Sequence, residues 1–181
     1  GPTAVGKTEI SLEVAKRLDA EIVNVDSMQI YRDMPILTQQ PTAAQLAAVP
    51  HHLFNYVDPT ETFSVGRYRR DALRAMEAIR QRGKSVLLVG GTGLYLRALT
   101  NGLCDAPRGD DSTRAMLWSA VHAQGSAELH NRLQTIDPLA AAKIHPRDGR
   151  RVVRALEVFE ATGKPLSTFW REQEPGVTIT V

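Results

Sequence analysis

The sequence predicts an α/β protein in which helices flank a parallel sheet, followed by a region made only of helices. Two segments, Glu21–Asp26 and Ser85–Val89, are rich in β-branched or apolar residues and are typical of strands. Beside and between them, Glu9–Leu18 and Ser64–Arg82 carry apolar residues at helical spacing. Strands that alternate with helices in this order form a parallel sheet with crossover helices.

The long helix after Ser64 has the clearest pattern in the first part of the chain. Ser64 is a candidate N-cap and Gly83 is a natural stop. Two further helices are expected in this part, a short one at Ala43–Ala48 and an apolar one from Gly93 through Leu99. The buried stripe of the long helix should consist of Tyr68, Ala72, Leu73, Met76 and Ile79.

The second part of the chain has helical patterns alone. We divide the chain into an α/β core at 1–110, a helical insert at 111–164 and a segment at 165–181 that returns towards the core. The last residues, Val177–Val181, have strand character. The helices predicted for the insert are Asp111–Gln124, Ala127–Thr135, Pro138–Ile144 and Arg147–Thr162.

The composition is that of an ordinary globular protein, with 181 residues, 43% of them hydrophobic, and a net charge of +2. No apolar run is long enough to span a bilayer, so we expect no membrane partner. The one cysteine, Cys104, cannot form an internal disulfide, which favours a reducing compartment, the cytoplasm. The histidines match no zinc-site spacing, and Trp118 and Trp170 are expected to pack against other residues.

The first eight residues match the phosphate-binding pattern G-x-x-x-x-G-K-[ST]. The backbone amides of such a loop surround an anion, Lys7 adds a full positive charge, and the Thr8 hydroxyl suits a Mg²⁺ ion that bridges phosphates. The core is therefore expected to be P-loop NTPase-like. Because such a loop normally follows a buried strand, we expect the first strand of the sheet to be missing. The motif consists of Gly1, Pro2, Thr3, Ala4, Val5, Gly6, Lys7 and Thr8.

A carboxylate, Asp26, stands at the end of the first predicted strand. Ligands of open α/β sheets bind beyond the carboxyl ends of the strands, so Asp26 should face the same crevice as the phosphate loop. Asp26 could act on a substrate, cap the following turn or bind a metal ion. The nearby Gln29 could bind an adenine edge, and Tyr31 could stack on a base.

Several runs of residues resemble the tRNA dimethylallyltransferase (tRNA isopentenyltransferase) family. They cover nearly the whole chain in the family's order, and two of them, Asp26–Gln29 and Gly90–Tyr95, are the most specific. The chain departs from the family at Asp33–Pro41, where two glycines and a lysine of the usual pattern are missing. The matching runs are Gly1–Thr8, Asp26–Arg32, Pro50–Leu53, Gly90–Tyr95, Ile144–Pro146 and Arg154–Val158.

The resemblance implies transfer of a dimethylallyl group from dimethylallyl diphosphate to N6 of the adenosine beside the tRNA anticodon. Asp26 would be the general base, Gly1–Thr8 would bind the diphosphate with Mg²⁺ on Thr8, and Lys7 and Thr92 would take part in catalysis. Thr92 could instead be a small residue needed for close packing. The enzyme is expected to be a monomer that binds the anticodon stem-loop. The implied tRNA-binding residues are Asp26, Ser27, Met28, Gln29, Thr92, Arg114, Arg150, Arg151, Val152, Val153 and Arg154.

Four arginines recur at helical spacing within the predicted helix Arg147–Thr162 and should share one face of it. Such a face suits contacts with the phosphates of a nucleic acid. The alternative is a solvated face that pairs with Glu157, and the resemblance favours tRNA. The four residues are Arg147, Arg150, Arg151 and Arg154.

Three other functions stay open on the sequence: a small-molecule kinase, a prenyltransferase for free adenine nucleotides, and a nucleotide-binding domain without catalysis. The runs Asp26–Gln29 and Gly90–Tyr95 speak against the kinase. The arginine face favours tRNA over free nucleotides. The sequence has no guanine-reading Asn-Lys-x-Asp pattern, which counts against a GTPase switch.

Overall fold

The chain forms two compact units in the computed structural model. The first unit runs to Leu103 and resumes at Pro175, and the second spans Cys104–Glu174. The two units thus divide after residues 103 and 174, whereas the predicted boundaries lie after residues 110 and 164. The structure describes residues 7–34, 36, 38, 40–104, 106–173 and 175–180, with Lys7 described by its backbone alone.

Three strands form a parallel sheet in the described part of the first unit. The central strand, β1 (Ala20–Asn24), is buried along its whole length and lies between β2 (His51–His52) and β3 (Ser85–Val89). The predicted parallel sheet and α/β class are confirmed. β2 was not predicted, because two residues are too few for a periodic pattern.

Four helices accompany this sheet in the described part of the first unit. They are α1 (Lys7–Arg17), α2 (Ala43–Ala48), α3 (Val65–Gln81) and α4 (Gly93–Thr100). The Ser64 side chain accepts a hydrogen bond from the Arg67 N–H, so the predicted N-cap of α3 is confirmed.

The apolar side of α3 packs on the sheet. Four of its five predicted core residues are buried, and Leu73 is half-buried. Gly83 ends the helical segment with φ of 73°, a conformation that glycine adopts without strain.

The described part of the second unit is all-helical, as predicted. Three of its helices start at an aspartate that accepts a hydrogen bond from the first turn, namely Asp110, Asp137 and Asp148. The helices are α5 (Asp111–Gln124), α6 (Ser126–Ile136), α7 (Pro138–Lys143), α8 (Gly149–Thr162) and α9 (Leu166–Arg171). Because Asp148 caps α8, this helix begins two residues later than predicted. α9 was not predicted and lies in the segment expected to return to the core.

The segment after Pro175 packs on the first unit without joining the sheet. The Val177 N–H donates to the Leu99 carbonyl over 2.8 Å, at the end of α4. Residues 175–180 form no strand, so the strand predicted at Val177–Val181 is wrong for the described residues. Among the described residues, no helix combines the length and apolar character that crossing a membrane requires.

Candidate active site at the ends of β1 and β3

The carboxyl ends of β1 and β3 are joined directly to each other. The Val25 N–H donates to the Val89 carbonyl over 2.7 Å, and the Thr92 N–H donates to the Val25 carbonyl over 2.9 Å. This close approach requires a glycine at position 90, where a Cβ would lie 2.2 Å from the Val25 carbonyl carbon. The two most family-specific runs of the sequence, at Asp26 and at Gly90, therefore meet at one edge of the sheet.

A buried amide, Asn24, holds the backbone of Asp26. The Asp26 N–H donates to Asn24 Oδ1 over 2.8 Å, and Asn24 Nδ2 donates to the Asp26 and Leu53 carbonyls, each over 3.0 Å. Asn24 is fully buried, so its own end of each bond is shielded from water. This residue was not among the predicted site residues, since its only signal in the sequence is an amide side chain inside an apolar strand.

The two oxygens of the Asp26 carboxylate have different surroundings. Oδ1 accepts a hydrogen bond from the Met28 N–H over 2.9 Å, which closes a turn. Oδ2 has no hydrogen-bond partner among the residues that the structure describes, and the residue is half-buried. The turn-capping role therefore leaves a carboxylate oxygen for a ligand.

Thr92 fixes the same loop from the side of β3. Its Oγ1 accepts a hydrogen bond from the Ser27 N–H over 2.9 Å and donates to Ser27 Oγ over 3.2 Å. Thr92 precedes α4 as its N-cap residue, and its side chain makes no capping hydrogen bond. The predicted residues Asp26, Ser27 and Thr92 are thus brought together.

The next two predicted residues differ in exposure. Met28 is exposed. Gln29 is half-buried, and its Nε2 donates to the Thr38 carbonyl over 3.2 Å. The Gln29 carbonyl in turn accepts from Gln40 Nε2 over 3.4 Å, so the loop folds back onto this residue.

Two stacked tyrosines pack next to the site, and one of them holds the backbone of Asn24. The rings of Tyr68 and Tyr95 are 3.8 Å apart and nearly parallel, and the Tyr68 hydroxyl donates to the Asn24 carbonyl over 2.9 Å. Burial, together with the negative charge of Tyr31 in its ionised form and of Asp26, raises the pKa of Tyr95 to about 12. Tyr95 therefore stays protonated near neutral pH and is a packing residue here.

The phosphate loop is described only at its end. Gly1, Pro2, Thr3, Ala4, Val5 and Gly6 lie outside the described residues, as does the Lys7 side chain. Thr8 is half-buried in the first turn of α1, at the positive end of the helix dipole. The described residues contain no cluster of three or more His, Cys, Asp or Glu side chains that could hold a metal ion.

The predicted arginine face is split in two, which corrects the sequence analysis. Arg147 precedes α8, and two hollows lie beside this helix in the second unit. One hollow, of about 540 Å³, is lined by Lys143, Arg151, Arg154 and Trp170 with the apolar Ile144 and Leu166. The other, of about 560 Å³, is lined by Trp118, His145, Arg147, Asp148 and Arg150.

The side chains of Val152 and Val153 are 0% and 1% exposed and belong to the helical core. They were expected to contact tRNA because the family resemblance places the run Arg150–Arg154 against it. A side chain buried in this way offers no surface to a nucleic acid, so these two positions are corrected to core residues.

The remaining predicted arginines separate into a pair held by Glu157 and an exposed pair. Glu157 is fully buried, and its carboxylate oxygens lie 3.5 Å from Arg154 Nη1 and 3.6 Å from Arg114 Nη1. Arg154 also donates to the carbonyls of the residues at 106 and 107. Arg150 and Arg151 are exposed, and Arg151 pairs with Asp148 at 3.3 Å. Arg114 and Arg154 therefore pair with Glu157. This pairing was the alternative to tRNA binding in the sequence-based prediction for the arginine face.

A second charged cluster lies at the start of β1, the end opposite Asp26. Glu21 is buried and accepts hydrogen bonds from Arg82 Nη2 and His52 Nε2, both over 2.6 Å. The Arg82 guanidinium holds the pKa of Glu21 below its usual value of 4.5, although burial opposes this shift. This cluster joins three elements of the first unit and has a structural role.

The tryptophans and the remaining buried histidine also have structural surroundings. Trp118 and Trp170 are half-buried against the helical core, which confirms the packing role predicted for them. His130 is buried, with Nε2 within hydrogen-bonding distance of the Ala141 and Ile144 carbonyls.

Comparison with known proteins gives one consistent family. The chain is 53% identical over 169 residues to a tRNA dimethylallyltransferase of Geobacter metallireducens, covering 93% of this chain and 55% of that protein. It is 51% identical over 179 residues to a tRNA dimethylallyltransferase of Halorhodospira halophila, covering 98% of this chain and 58% of that protein. The chain thus spans about half the length of the curated relatives it matches.

Solved structures agree with this result. A eukaryotic dimethylallyltransferase acting on tRNA matches 99% of this chain and 44% of its own, with a TM-score of 0.81 and 35% identity. The full-length tRNA isopentenylpyrophosphate transferase of Bacillus halodurans matches 91% of this chain and 55% of its own, with a TM-score of 0.58 and 46% identity. The expected P-loop NTPase-like fold class is confirmed by these neighbours. The family profile described as IPP transferase matches residues 29–181. The chain therefore belongs to the IPP transferase family.

Proposed function

We propose that the protein transfers a dimethylallyl group from dimethylallyl diphosphate to N6 of the adenosine beside the anticodon of tRNA and releases diphosphate. The names of its relatives, tRNA dimethylallyltransferases, support this reaction. The observation that carries the proposal is Oδ2 of Asp26, which has no hydrogen-bond partner among the described residues and lies at the edge of the sheet where ligands of α/β proteins bind.

In the proposed reaction the bond between the allylic carbon and the diphosphate oxygen breaks, and a bond from N6 to that carbon forms. N6 is a weak nucleophile whose proton becomes acidic as the new bond develops. Asp26 Oδ2 takes this proton, and the electron pair of the broken bond leaves with the diphosphate. General base assistance of this kind contributes about 10²- to 10⁴-fold to the rate.

The departing diphosphate is assigned to the loop Gly1–Thr8. Its amides, the Lys7 ammonium and the positive end of α1 would stabilise the charge that develops on the leaving oxygens. The Thr8 hydroxyl would help to hold a Mg²⁺ ion, which would supply further positive charge. No ATP is needed, because the substrate itself carries the phosphates that such a loop binds.

Thr92 and Ser27 are assigned to the loop that presents Asp26. The hydroxyl of Thr92 bonds both the N–H and the hydroxyl of Ser27, so it fixes the start of this loop. We also assign to Thr92 and Met28 a direct contact with the incoming adenosine. Asn24 is a positioning residue, because its amide bonds the N–H and the carbonyl of Asp26 and so fixes the backbone of that residue.

Binding of tRNA is assigned mainly to Arg150 and Arg151. Both are exposed on α8, and arginine suits phosphate oxygens in geometry and charge. The side chains of Arg114 and Arg154 are 46% and 36% exposed and are held by Glu157, so they can contact phosphate only in a fixed position. An adenosine in a loop must leave its stack to reach Asp26.

The proposed function is tested with the full-length protein, unmodified tRNA and dimethylallyl diphosphate, followed by mass spectrometry of the tRNA nucleosides. We expect dimethylallyl adenosine from tRNA and none from AMP. Equal or better transfer to AMP would point to an enzyme for free nucleotides. Transfer of labelled γ-phosphate from ATP to a small acceptor would point to a kinase. No product in any arm would overturn the proposal of an enzyme.

A further inference from the structure

The 540 Å³ hollow beside α8 has the lining of a binding site for an anion that also carries an apolar group. Its volume lies within the range of ligand pockets, about 300–1,000 Å³. Three cationic side chains line it, and no carboxylate is among its lining residues in the described chain. Ile144 and Leu166 give it an apolar floor, and both are buried in the helical core.

Lys143 is the least compensated of these cations. It is exposed, and its ammonium lies 5.2 Å from the centre of the Trp170 ring. In the described part of the chain Lys143 has no carboxylate partner, whereas Arg151 pairs with Asp148. A cation held over an aromatic ring, without a counter-ion, is placed to accept a phosphate.

Trp170 supplies an aromatic ring that can bind a nucleobase. It is half-buried, its ring lines the hollow beside Leu166, and its position is set by packing against the helical core. Flat aromatic rings of this kind bind nucleobases that have left their stack, at about 1–3 kcal/mol per base. Arg154 forms a fixed wall, because it donates to the carbonyls of the residues at 106 and 107.

We propose that this hollow binds one unstacked nucleotide of the substrate tRNA. Its phosphate is bound by Arg151 and by Lys143, which moves off the Trp170 ring to reach it, and its base takes the ring face that Lys143 leaves, above the apolar floor. The inference rests on the proposed function, since it assumes that the substrate is an RNA loop. The hollow on the other side of α8 is a weaker candidate, because its lining includes the carboxylate of Asp148.

The first test compares Lys143→Gln with the matched control Lys164→Gln in the full-length protein. Lys164 is an exposed lysine of the same unit that does not line the hollow. For Lys143→Gln we expect KM for tRNA to rise about tenfold while kcat at saturating tRNA stays within about twofold, as for a lost charge-assisted contact. Equal KM values in the two variants would overturn the inference.

The second test does not depend on catalysis. Binding of tRNA should quench the fluorescence of Trp170, so Trp170→Phe should lose a larger part of the quench than Trp118→Phe. Quenching by inorganic diphosphate alone, or a quench no smaller in Trp170→Phe than in Trp118→Phe, would contradict an RNA nucleotide in the hollow. If the wild type transfers no prenyl group, the proposed function fails, while this binding test still reports on the hollow.

Discussion

Replacement of Asn24 by alanine should separate the positioning of Asp26 from the stability of the sheet. The amide makes three hydrogen bonds, to the N–H and carbonyl of Asp26 and to the carbonyl of Leu53, and it is fully buried. The substitution removes all three and leaves these backbone groups without partners. It leaves the Asp26 side chain itself unchanged.

The size of the effect follows from these bonds. A typical intramolecular hydrogen bond contributes about 0.5–1.5 kcal/mol net, so three give about 1.5–4.5 kcal/mol. Asp26 and Leu53 are half-buried, and water can replace part of the loss. We therefore expect a loss of about 2–3 kcal/mol in the free energy of unfolding. We also expect kcat to fall at least tenfold, since a small displacement of a base is costly.

Urea denaturation measures the first quantity, and single-turnover prenyl transfer measures the second. Gln81→Ala is the matched control in the same unit, because Gln81 is exposed and its amide bonds only the side chain of Glu77 among the described residues. The control should change neither quantity appreciably. If Asn24→Ala loses stability and keeps the wild-type rate, the amide supports the fold and does not position Asp26.

Two further predictions concern the charges. The pKa of Glu21 is lowered in the folded protein, so its charge stabilises the fold above the usual value of 4.5, and this contribution is lost as the pH falls through the folded pKa. The free energy of unfolding from urea titrations should therefore fall more steeply between about pH 5 and pH 3 in the wild type than in Glu21→Gln, with the exposed Glu13→Gln as control. Parallel pH profiles for wild type and Glu21→Gln would contradict this. Replacing Arg150 and Arg151 together by alanine should weaken tRNA binding and flatten its salt dependence by about one unit of slope per lost phosphate contact, measured by filter binding, with Lys164→Ala as control. An unchanged slope would mean that these arginines face only solvent.

The sequence predicted best the elements that carry their own local signals. α2 and α5 begin and end at the predicted residues, because their capping residues Thr42 and Asp110 mark the start. β2 has only two residues and exists through its pairing with β1, which no local pattern can indicate.

The candidate site was predictable only in part. Asp26 and Thr92 could be placed at strand ends from the order of strands and helices. Asn24 escaped notice because its partners include Leu53, which is 29 positions away in the chain. The arginine face was predicted wrongly because the cap at Asp148 shortens α8 and leaves Arg147 outside it.

The most direct measurement of the central claim is the single-turnover rate of Asp26→Asn. Asparagine keeps the Oδ1 acceptor for the Met28 N–H, so the turn should be preserved while the basic oxygen is lost. Asp33→Asn, at an exposed carboxylate of the same loop, is the matched control. We predict a fall of at least about 10² in the rate of prenyl transfer, with tRNA affinity within about threefold of wild type. A rate equal to that of the control would show that Asp26 does not take the proton from the adenosine amine.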